Sequence, residues 1–491
     1  MSLRTASQLW LSGPKTRLPY SVNPRRCSSL VVKGKGLDVA DGEARVLTCV
    51  DVSSQGSGVC KDKETGLVVF VPDSLPGEIL RARIEKSGKQ SFAHGVKLET
   101  LKSHDGSRMA YCNYAHECGG CSLQNLTYSP HQLDLKQSSV FNAFKRIGGV
   151  KSLGEKGIFR DIVGCDDEFH YRNKVEFSVD SHAKVIGKHV RGSADALVHI
   201  SECVLQTNAA NRLYRDICAV VLEEDAVIST VQHIVIRFSN AFQQCLVNIV
   251  TKDDARNNLS RLVEYVSERH ADTLRGIVNS VSQDGALLEE RKVETEHVLW
   301  GEGDLLEKLS CFTYRISPNS FFQTNTKQAE RLYEYVVEQA QISSDDVVFD
   351  LYSGAGSMSL FLASNAKSVY GIEISESSVA DARYNAALNG VDNVEFVQGD
   401  VGHISQLTHG RQPDIVVVDP ARAGLSKRAI KGLLKCMPKK LVYVSCNAAT
   451  QARDVREFLN NGYWLESVRP FDLFPQTMHV ECVAVLHRKD A

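Results

Sequence analysis

Cys446 stands in Val444-Ser445-Cys446-Asn447, where an apolar β-rich run over residues 440–444 gives out. Cysteine in apolar sequence is most often a small buried hydrophobe. A cysteine at the open end of a strand, after Ser and before Asn, has the access a nucleophilic thiol needs. Further on, Met478-His479-Val480-Glu481-Cys482-Val483-Ala484-Val485 places Glu481 at the start of an otherwise apolar strand. A carboxylate entering such a strand is either ion-paired for structure or tuned by burial into a base. A thiolate that adds to an electron-poor carbon, with a carboxylate to take a proton afterwards, splits one hard substitution into easier steps.

A second set of sulfurs lies earlier. Cys112, Cys118 and Cys121 sit close together around Gly119-Gly120. Three thiols at this spacing rarely serve packing alone. The spacing allows zinc or an iron–sulfur cluster, each needing a fourth ligand, and leaves free thiols as the remaining reading. Most of the fourteen cysteines are scattered through apolar stretches, such as Cys245 and Cys482, which points to a reducing compartment and not to a disulfide scaffold.

The elements that must position Cys446 and Glu481 begin near Thr313, where β-rich runs and helical stretches alternate as in a doubly wound parallel sheet. Strands are expected at 346–351, 368–372, 394–397, 413–418 and 440–444. The first runs into Tyr352-Ser353-Gly354-Ala355-Gly356-Ser357, a strand-to-helix turn where glycines let the backbone approach a ligand. The second ends in Glu373, placed to accept hydrogen bonds from ribose hydroxyls, and the third in Gly399-Asp400, within reach of an adenine amino group. There is no phosphate-binding loop with a Gly-Lys-Ser/Thr ending, and position 359 is Ser where a dinucleotide site wants a third glycine. A cofactor without pyrophosphate fits better, with S-adenosylmethionine the leading choice. Asp419, after the fourth strand, and Cys446, after the fifth, face the same crevice outside the carboxyl ends of the strands.

Upstream, Ala44–Val52, 67–71, Ile79–Glu85 and 93–98 read as short strands broken by Gly56-Ser57-Gly58 and Pro76-Gly77. A small closed barrel of the OB type is the economical arrangement, serving either as a single-strand nucleic-acid binder or as plain structure. Between barrel and sheet, an amphipathic helix at 130–147 and strands at 174–179 and 234–238 indicate an α+β domain. The expected divisions are 1–37, 43–104, 105–312 and 313–491, several domains as 491 residues require.

Residues 1–37 carry Arg4, Lys15, Arg17, Arg25, Arg26, Lys33 and Lys35, with no acidic residue before Asp38. This is the composition of an organellar transit peptide, chloroplast ahead of mitochondrion. A disordered basic arm on a cytoplasmic protein is the alternative. A net charge of −2 gives no global pull on nucleic acid, so an RNA partner requires local basic patches. No apolar run is long enough for a spanning helix. A soluble monomer without membrane contact is expected.

Asp-Leu-Tyr-Ser-Gly-Ala-Gly (350–356), Asp-Pro-Ala-Arg-Ala-Gly (419–424), Val-Ser-Cys-Asn (444–447) and His-Val-Glu (479–481) together resemble the RNA uracil-5-methyltransferases. Ser-Phe-Phe-Gln-Thr-Asn (320–325) is similar to a segment of that family whose glutamine contacts the cofactor. Residues 56–59 and 70–78 resemble the TRAM domain at its N-termini. The resemblance covers about residues 43–491. It implies a Rossmann-like S-adenosylmethionine-dependent methyltransferase domain behind an OB-like TRAM barrel. It makes Cys446 the nucleophile toward carbon 6 of uracil and Glu481 the base. Gln323, Tyr352, Ser357, Glu373, Asp400 and Asp419 would line the cofactor site. Cys203 resembles a distant fourth ligand that would complete a [4Fe-4S] site with Cys112, Cys118 and Cys121. Cluster-bearing members resemble the 23S-type ribosomal enzymes, which favours large-subunit rRNA over the tRNA T-loop. Ala448 departs from the usual proline, and Ser353 and Ser357 from the Cys and Asn frequent in bacterial members. An iron–sulfur redox or radical protein and a non-catalytic RNA binder are the rivals of another class; the lack of a C-x3-C-x2-C cysteine set speaks against the first, Cys446 and Glu481 against the second.

Overall fold

The computed structural model describes residues 41–53, 55–85, 92–283 and 291–489. The basic segment 1–37, and the targeting reading that rests on it, lie outside those residues. Strands β1 (Ala44–Val52), β2 (Gly58–Asp62), β3 (Val68–Val71), β4 (Ile79–Glu85) and β5 (Phe92–Lys102) close into a barrel of order β1-β2-β3-β5-β4. Alternation drives the closure: in β4, Leu80, Ala82 and Ile84 are buried while Arg81, Arg83 and Glu85 are exposed. The order and the parallel β3–β5 pair are those of an OB-like barrel.

The middle of the chain builds a seven-stranded sheet from β6 (Lys174–Asp180), β7 (Val185–His189), β8 (Leu197–His199), β9 (Val231–Ser239), β10 (Gln244–Thr251), β11 (Leu274–Val281) and β12 (Thr295–Gly301). One face buries Ile217, Val221, Leu262 and Val266 of the helices Asn208–Glu223 and Ser260–Arg269. A hairpin, β13 (Leu305–Leu309) and β14 (Phe312–Ile316), follows.

The last sheet comprises β15 (Val347–Leu351), β16 (Ser368–Glu373), β17 (Val394–Gln398), β18 (Ile415–Val418), β19 (Lys440–Ser445), β20 (Tyr463–Phe471) and β21 (Glu481–Arg488), in the order β17-β16-β15-β18-β19-β21-β20. The first five are parallel; β21 pairs antiparallel to both β19 and β20. Continuous apolar strands such as Ile415-Val416-Val417-Val418 are buried because helices cover both faces. The strand order reverses at β15–β18, which opens a crevice at their carboxyl ends.

Part of the structure departs from the expected division. The helix Leu133–Arg146 falls in the segment 105–312, yet Val140 and Phe144 join the core of the C-terminal sheet with Val455, Phe458 and Val468. The stretch around 133–153 therefore belongs physically to the C-terminal body. The hairpin β13–β14 likewise straddles the expected boundary between residues 312 and 313.

Candidate active site

The turn after β15 bends sharply because three backbones lie in the left-handed region: Tyr352 (φ 67°), Gly354 (φ 53°) and Gly356 (φ 81°). At Gly356 a Cβ would stand 2.8 Å from the Phe396 ring, so glycine is required by packing as well as by φ. The Glu373 carboxylate at the end of β16 closes over this turn, accepting from Gly354 N at 3.1 Å and Ser375 N at 2.8 Å. Asp400, beyond β17, accepts from Gly402 N at 2.8 Å and keeps much of its carboxylate in solvent. Gln323 is buried beside Tyr333, and its backbone carbonyl accepts from Asn173 Nδ2 at 2.9 Å. Tyr352, Glu373, Asp400 and Asp419 thus lie at the carboxyl ends of four adjacent strands. Burial, then the charges of Asp400 and Glu373, hold the Tyr352 phenol up at about 12. Ser357 takes the first position of the helix Ser357–Ala363, where its carbonyl accepts from Tyr314 Oη at 3.1 Å. Its hydroxyl pairs with none of the other expected cofactor residues.

This edge fits a small polar cofactor. Among the described residues, the Ser353 hydroxyl is buried without a partner beside the glycine turn. Glu373 offers acceptors at the place where ribose hydroxyls bind in sheets of this kind. Asp419 receives no side-chain hydrogen bond among the described residues, and burial pushes its carboxyl up to about 6.

Cys446 and Glu481 are brought together by strand register. Ser445 pairs with Cys482 across β19–β21, so one further step along the antiparallel pair sets Cys446 opposite Glu481. Asn447 caps the helix Ala448–Asn460, accepting from Ala449 N at 3.1 Å, and donates to the Arg422 carbonyl at 3.0 Å. Thr450 Oγ1 reaches the same carbonyl at 3.1 Å, which ties the segment after Asp419 to the thiol's own turn. Glu481 is 4% exposed. Burial, then the Asp419 charge, raises its carboxyl to about 8, against the pull of Arg422. Burial, then Glu481 and Asp419, raises the Cys446 thiol to about 12, again against Arg422. The arrangement is a thiol and a carboxyl raised toward neutral pH side by side, with Arg422 as the cation acting on both.

The sequence reading gave Arg422 no role, although an arginine two residues after Asp-Pro at a strand mouth carries the signal. It also missed the buried pair Lys136–Asp472, 2.6 Å apart with both side chains fully enclosed.

The other sulfurs also converge. Cys112, Cys118, Cys121 and Cys203 all line one cavity of ≈ 60 Å³. Arg191 Nη2 holds the loop by the carbonyls of Ala115 and Cys121, both at 2.7 Å, and Gly119 N donates to His189 O at 2.9 Å. Asn211 fixes Cys203, accepting from its N–H at 2.9 Å and donating to its carbonyl at 3.0 Å. Burial raises Cys112, Cys118 and Cys121, the last to about 12. Lys188 and Arg172 line the same cavity. Among the described residues, no three His, Cys, Asp or Glu side chains are gathered closely enough to hold a metal ion. Zinc would draw four sulfurs to within about 4 Å of one another, given Zn–S of ~2.3 Å. Four thiols and two cations thus line one cavity, with no metal-holding group among the described residues.

A doubly wound sheet with a glycine turn, an acidic residue over that turn and a thiol at its carboxyl edge is the architecture of a cofactor-dependent transferase of the methyltransferase class. The family described as tRNA (uracil-5-)-methyltransferase matches residues 162–489, and the chain belongs to that family of RNA uracil-C5 methyltransferases. An uncharacterized RNA methyltransferase of Oceanobacillus iheyensis is 34% identical over 462 residues, covering 92% of this chain and 98% of the relative. One of Clostridium acetobutylicum is 33% identical over 453 residues, covering 90% and 96%. Among solved structures, the Pyrococcus abyssi tRNA (uracil-54, C5)-methyltransferase in complex with S-adenosyl-L-homocysteine superposes with a TM-score of 0.70 at 28% identity, covering 90% of this chain and 99% of that one. The protein is accordingly an S-adenosylmethionine-dependent RNA methyltransferase. Among the described residues no helix is long and apolar enough to cross a membrane.

Proposed function

We propose that the protein methylates carbon 5 of a uridine through a covalent adduct between Cys446 and carbon 6. The observation that carries this reading is the β19–β21 register, which sets the thiol across from Glu481. The Cys446 thiol gives its proton to solvent water as its sulfur bonds to carbon 6, and the ring's double-bond electrons pass to carbon 5 and the O4 enolate. S-adenosylmethionine, when bound, would supply an electrophilic methyl group to carbon 5, its sulfur–methyl bond breaking to leave S-adenosylhomocysteine. Glu481 then accepts the carbon 5 proton, the carbon 5–carbon 6 double bond re-forms, and the sulfur leaves as thiolate. A carboxyl raised to about 8 suits this last step because a base works best near the operating pH. Gln323, Tyr352, Glu373, Asp400 and Asp419 would hold the cofactor, with Ser357 contributing through its place in the glycine turn.

The RNA we propose is 23S-type large-subunit rRNA, on the strength of the four-cysteine set. A tRNA T-loop uridine is the second reading, favoured by the likeness to the Pyrococcus enzyme. Cys112, Cys118, Cys121 and Cys203 would carry a [4Fe-4S] cluster, supported by their shared cavity and its cations. Its role there is structural, clamping two chain segments. Residues 1–37 would direct the chain to an organelle, chloroplast ahead of mitochondrion; a reporter fused to residues 1–40 that stays in the cytosol refutes that part. Mapping 5-methyluridine in rRNA and tRNA of cells lacking the protein tests the main claim. Loss of one rRNA site is expected, loss of a T-loop site selects the second reading, and loss of neither overturns both.

A further inference from the structure

The hairpin β20–β21 is closed by a loop over residues 472–480 that leads directly into Glu481. Five consecutive carbonyls of this loop accept hydrogen bonds from other parts of the chain. Asp472 O takes Gln328 Nε2 at 2.9 Å, Leu473 O takes Asn325 Nδ2 at 3.1 Å, and Phe474 O takes Lys136 Nζ at 3.0 Å. Pro475 O takes Tyr171 Oη at 3.1 Å. Gln476 O takes two, from the backbone N–H groups of Ser122 and Leu123, both at 2.9 Å. Buried carbonyls need partners, but a turn seldom draws all of them from so many distant segments.

Gln476 is the crossing point. It is fully enclosed and its backbone is left-handed (φ 71°), a conformation a non-glycine residue keeps only when its surroundings fix it. Its N–H donates to Gln132 Oε1 at 3.0 Å, while its own Oε1 accepts from Gln132 Nε2 at 3.1 Å and Arg108 Nη2 at 3.0 Å. Its Nε2 donates to Glu168 Oε2 at 2.8 Å. Ser122 and Leu123 follow Cys121 immediately, and Leu123 packs with Met478 and the barrel residue Val52. The segment after the cysteine loop and Gln132, at the head of the helix Leu133–Arg146, therefore meet the base-bearing hairpin at Gln476, with the barrel packed beside them through Val52.

We infer that Gln476 is a positioning residue whose side-chain clasp on Gln132, Arg108 and Glu168, the first two bonded in turn to the Leu123 and Gln124 carbonyls after the cysteine loop, sets the hairpin that carries Glu481. The inference rests on Glu481 being the base. If it is, loosening the loop harms the proton-removal step and leaves RNA capture and thiol addition in place. The test uses the full chain with its cysteine site intact. Gln476→Gly keeps the left-handed backbone and deletes the side-chain bonds; Gln476→Asn tolerates the same backbone, shortens the reach by one methylene, and carries the test if the glycine variant does not fold. The expected result is a kcat lower by roughly 10–100-fold, part of what losing a base costs. KM for RNA is expected to stay within about threefold, because the loop acts on the chemical step and not on uniform binding. Covalent RNA–protein adduct should accumulate on denaturing gels, and amides of the segment 477–483 should exchange faster with solvent. The loss should be greater for Gly than for Asn. Unchanged kcat, a loss confined to KM, or no adduct build-up where Glu481→Gln does accumulate it would overturn the positioning role. A Glu481→Gln variant that turns over fully without adduct would instead overturn the base assignment, so the two failures are distinguishable.

Discussion

The molecule has two sulfur sites with opposite electrical surroundings. Cys446 lies beside Glu481 and Asp419, with Arg422 as counterweight, and the thiol is pushed up to about 12. The four-cysteine cavity lies beside Lys188, Arg172 and Arg191, and the charges of Cys203 and Cys118 favour the protonated Lys188 against its burial. Burial is the first cause that raises Cys446 and the clustered thiols Cys112, Cys118 and Cys121 alike. The charges then differ: Glu481 and Asp419 raise Cys446 further, whereas Lys188 and Arg191 pull Cys118 down. Backbone support differs in the same sense. A strand end and a helix cap hold Cys446, whereas the four clustered cysteines hang on loops tied by Arg191 and Asn211.

The contrast breaks most visibly at the nucleophile. Cys446→Ala is expected to lower methylation by at least about 10⁴-fold and to abolish the adduct with 5-fluorouracil-containing RNA. Retained turnover would remove the covalent scheme. Glu481→Gln should cost roughly 10²–10⁴-fold and leave adduct on the gel, since addition and methyl uptake precede the step it serves. The two variants together separate formation of the sulfur–carbon bond from its release.

Much of this contrast was legible in residue order. Period-two alternation in Ile79–Glu85 and unbroken apolar runs such as Ile415–Val418 announce the barrel and the buried parallel sheet, because each pattern has one comfortable setting. Cys446 and Glu481 were legible for the same reason: a reactive side chain at the end of an apolar strand is conspicuous. What sequence order hides is contact between distant segments. The helix Leu133–Arg146 joins the C-terminal core from the middle of the chain. Its buried stripe runs Gln132, Lys136, Val140, Phe144 at four-residue spacing, and the two polar members lie on what periodicity marks as the packed face. That is the trace left by the Lys136–Asp472 pair and by the clasp on Gln476. Neither partner is identifiable until the β20–β21 loop is folded against the helix.

A smaller effect tests the other sulfur site. Cys203→Ser leaves three thiols on the cavity and is expected to lower bound iron and visible absorption and to depress Tm by several degrees. Losing a structural metal group removes folding free energy directly. Methylation should fall far less than in Cys446→Ala, and Cys446→Ala should leave iron content unchanged. Equal loss of activity in both variants, with iron retained in both, would erase the division of labour between the two sites.

The mildest variant asks whether Arg422 balances the carboxylates as the geometry implies. Glu481 must be unprotonated to take the proton, and its folded value of about 8 already lies above the ordinary carboxylate range. Arg422 lowers both Glu481 and Cys446, so Arg422→Gln lets both rise. Both groups act in their deprotonated forms, and the sign is therefore the same for each. The acid limb of kcat/KM should move to higher pH by about one unit, the low end of what one opposite charge contributes. The observed value belongs to the coupled set of Glu481, Asp419 and Cys446, not to one of them. Activity should be depressed at neutral pH and largely regained on the alkaline side, with Arg422→Lys close to the parent. A limb that stays in place or moves to lower pH would show that the charge beside Asp419 does not govern the pair across from it.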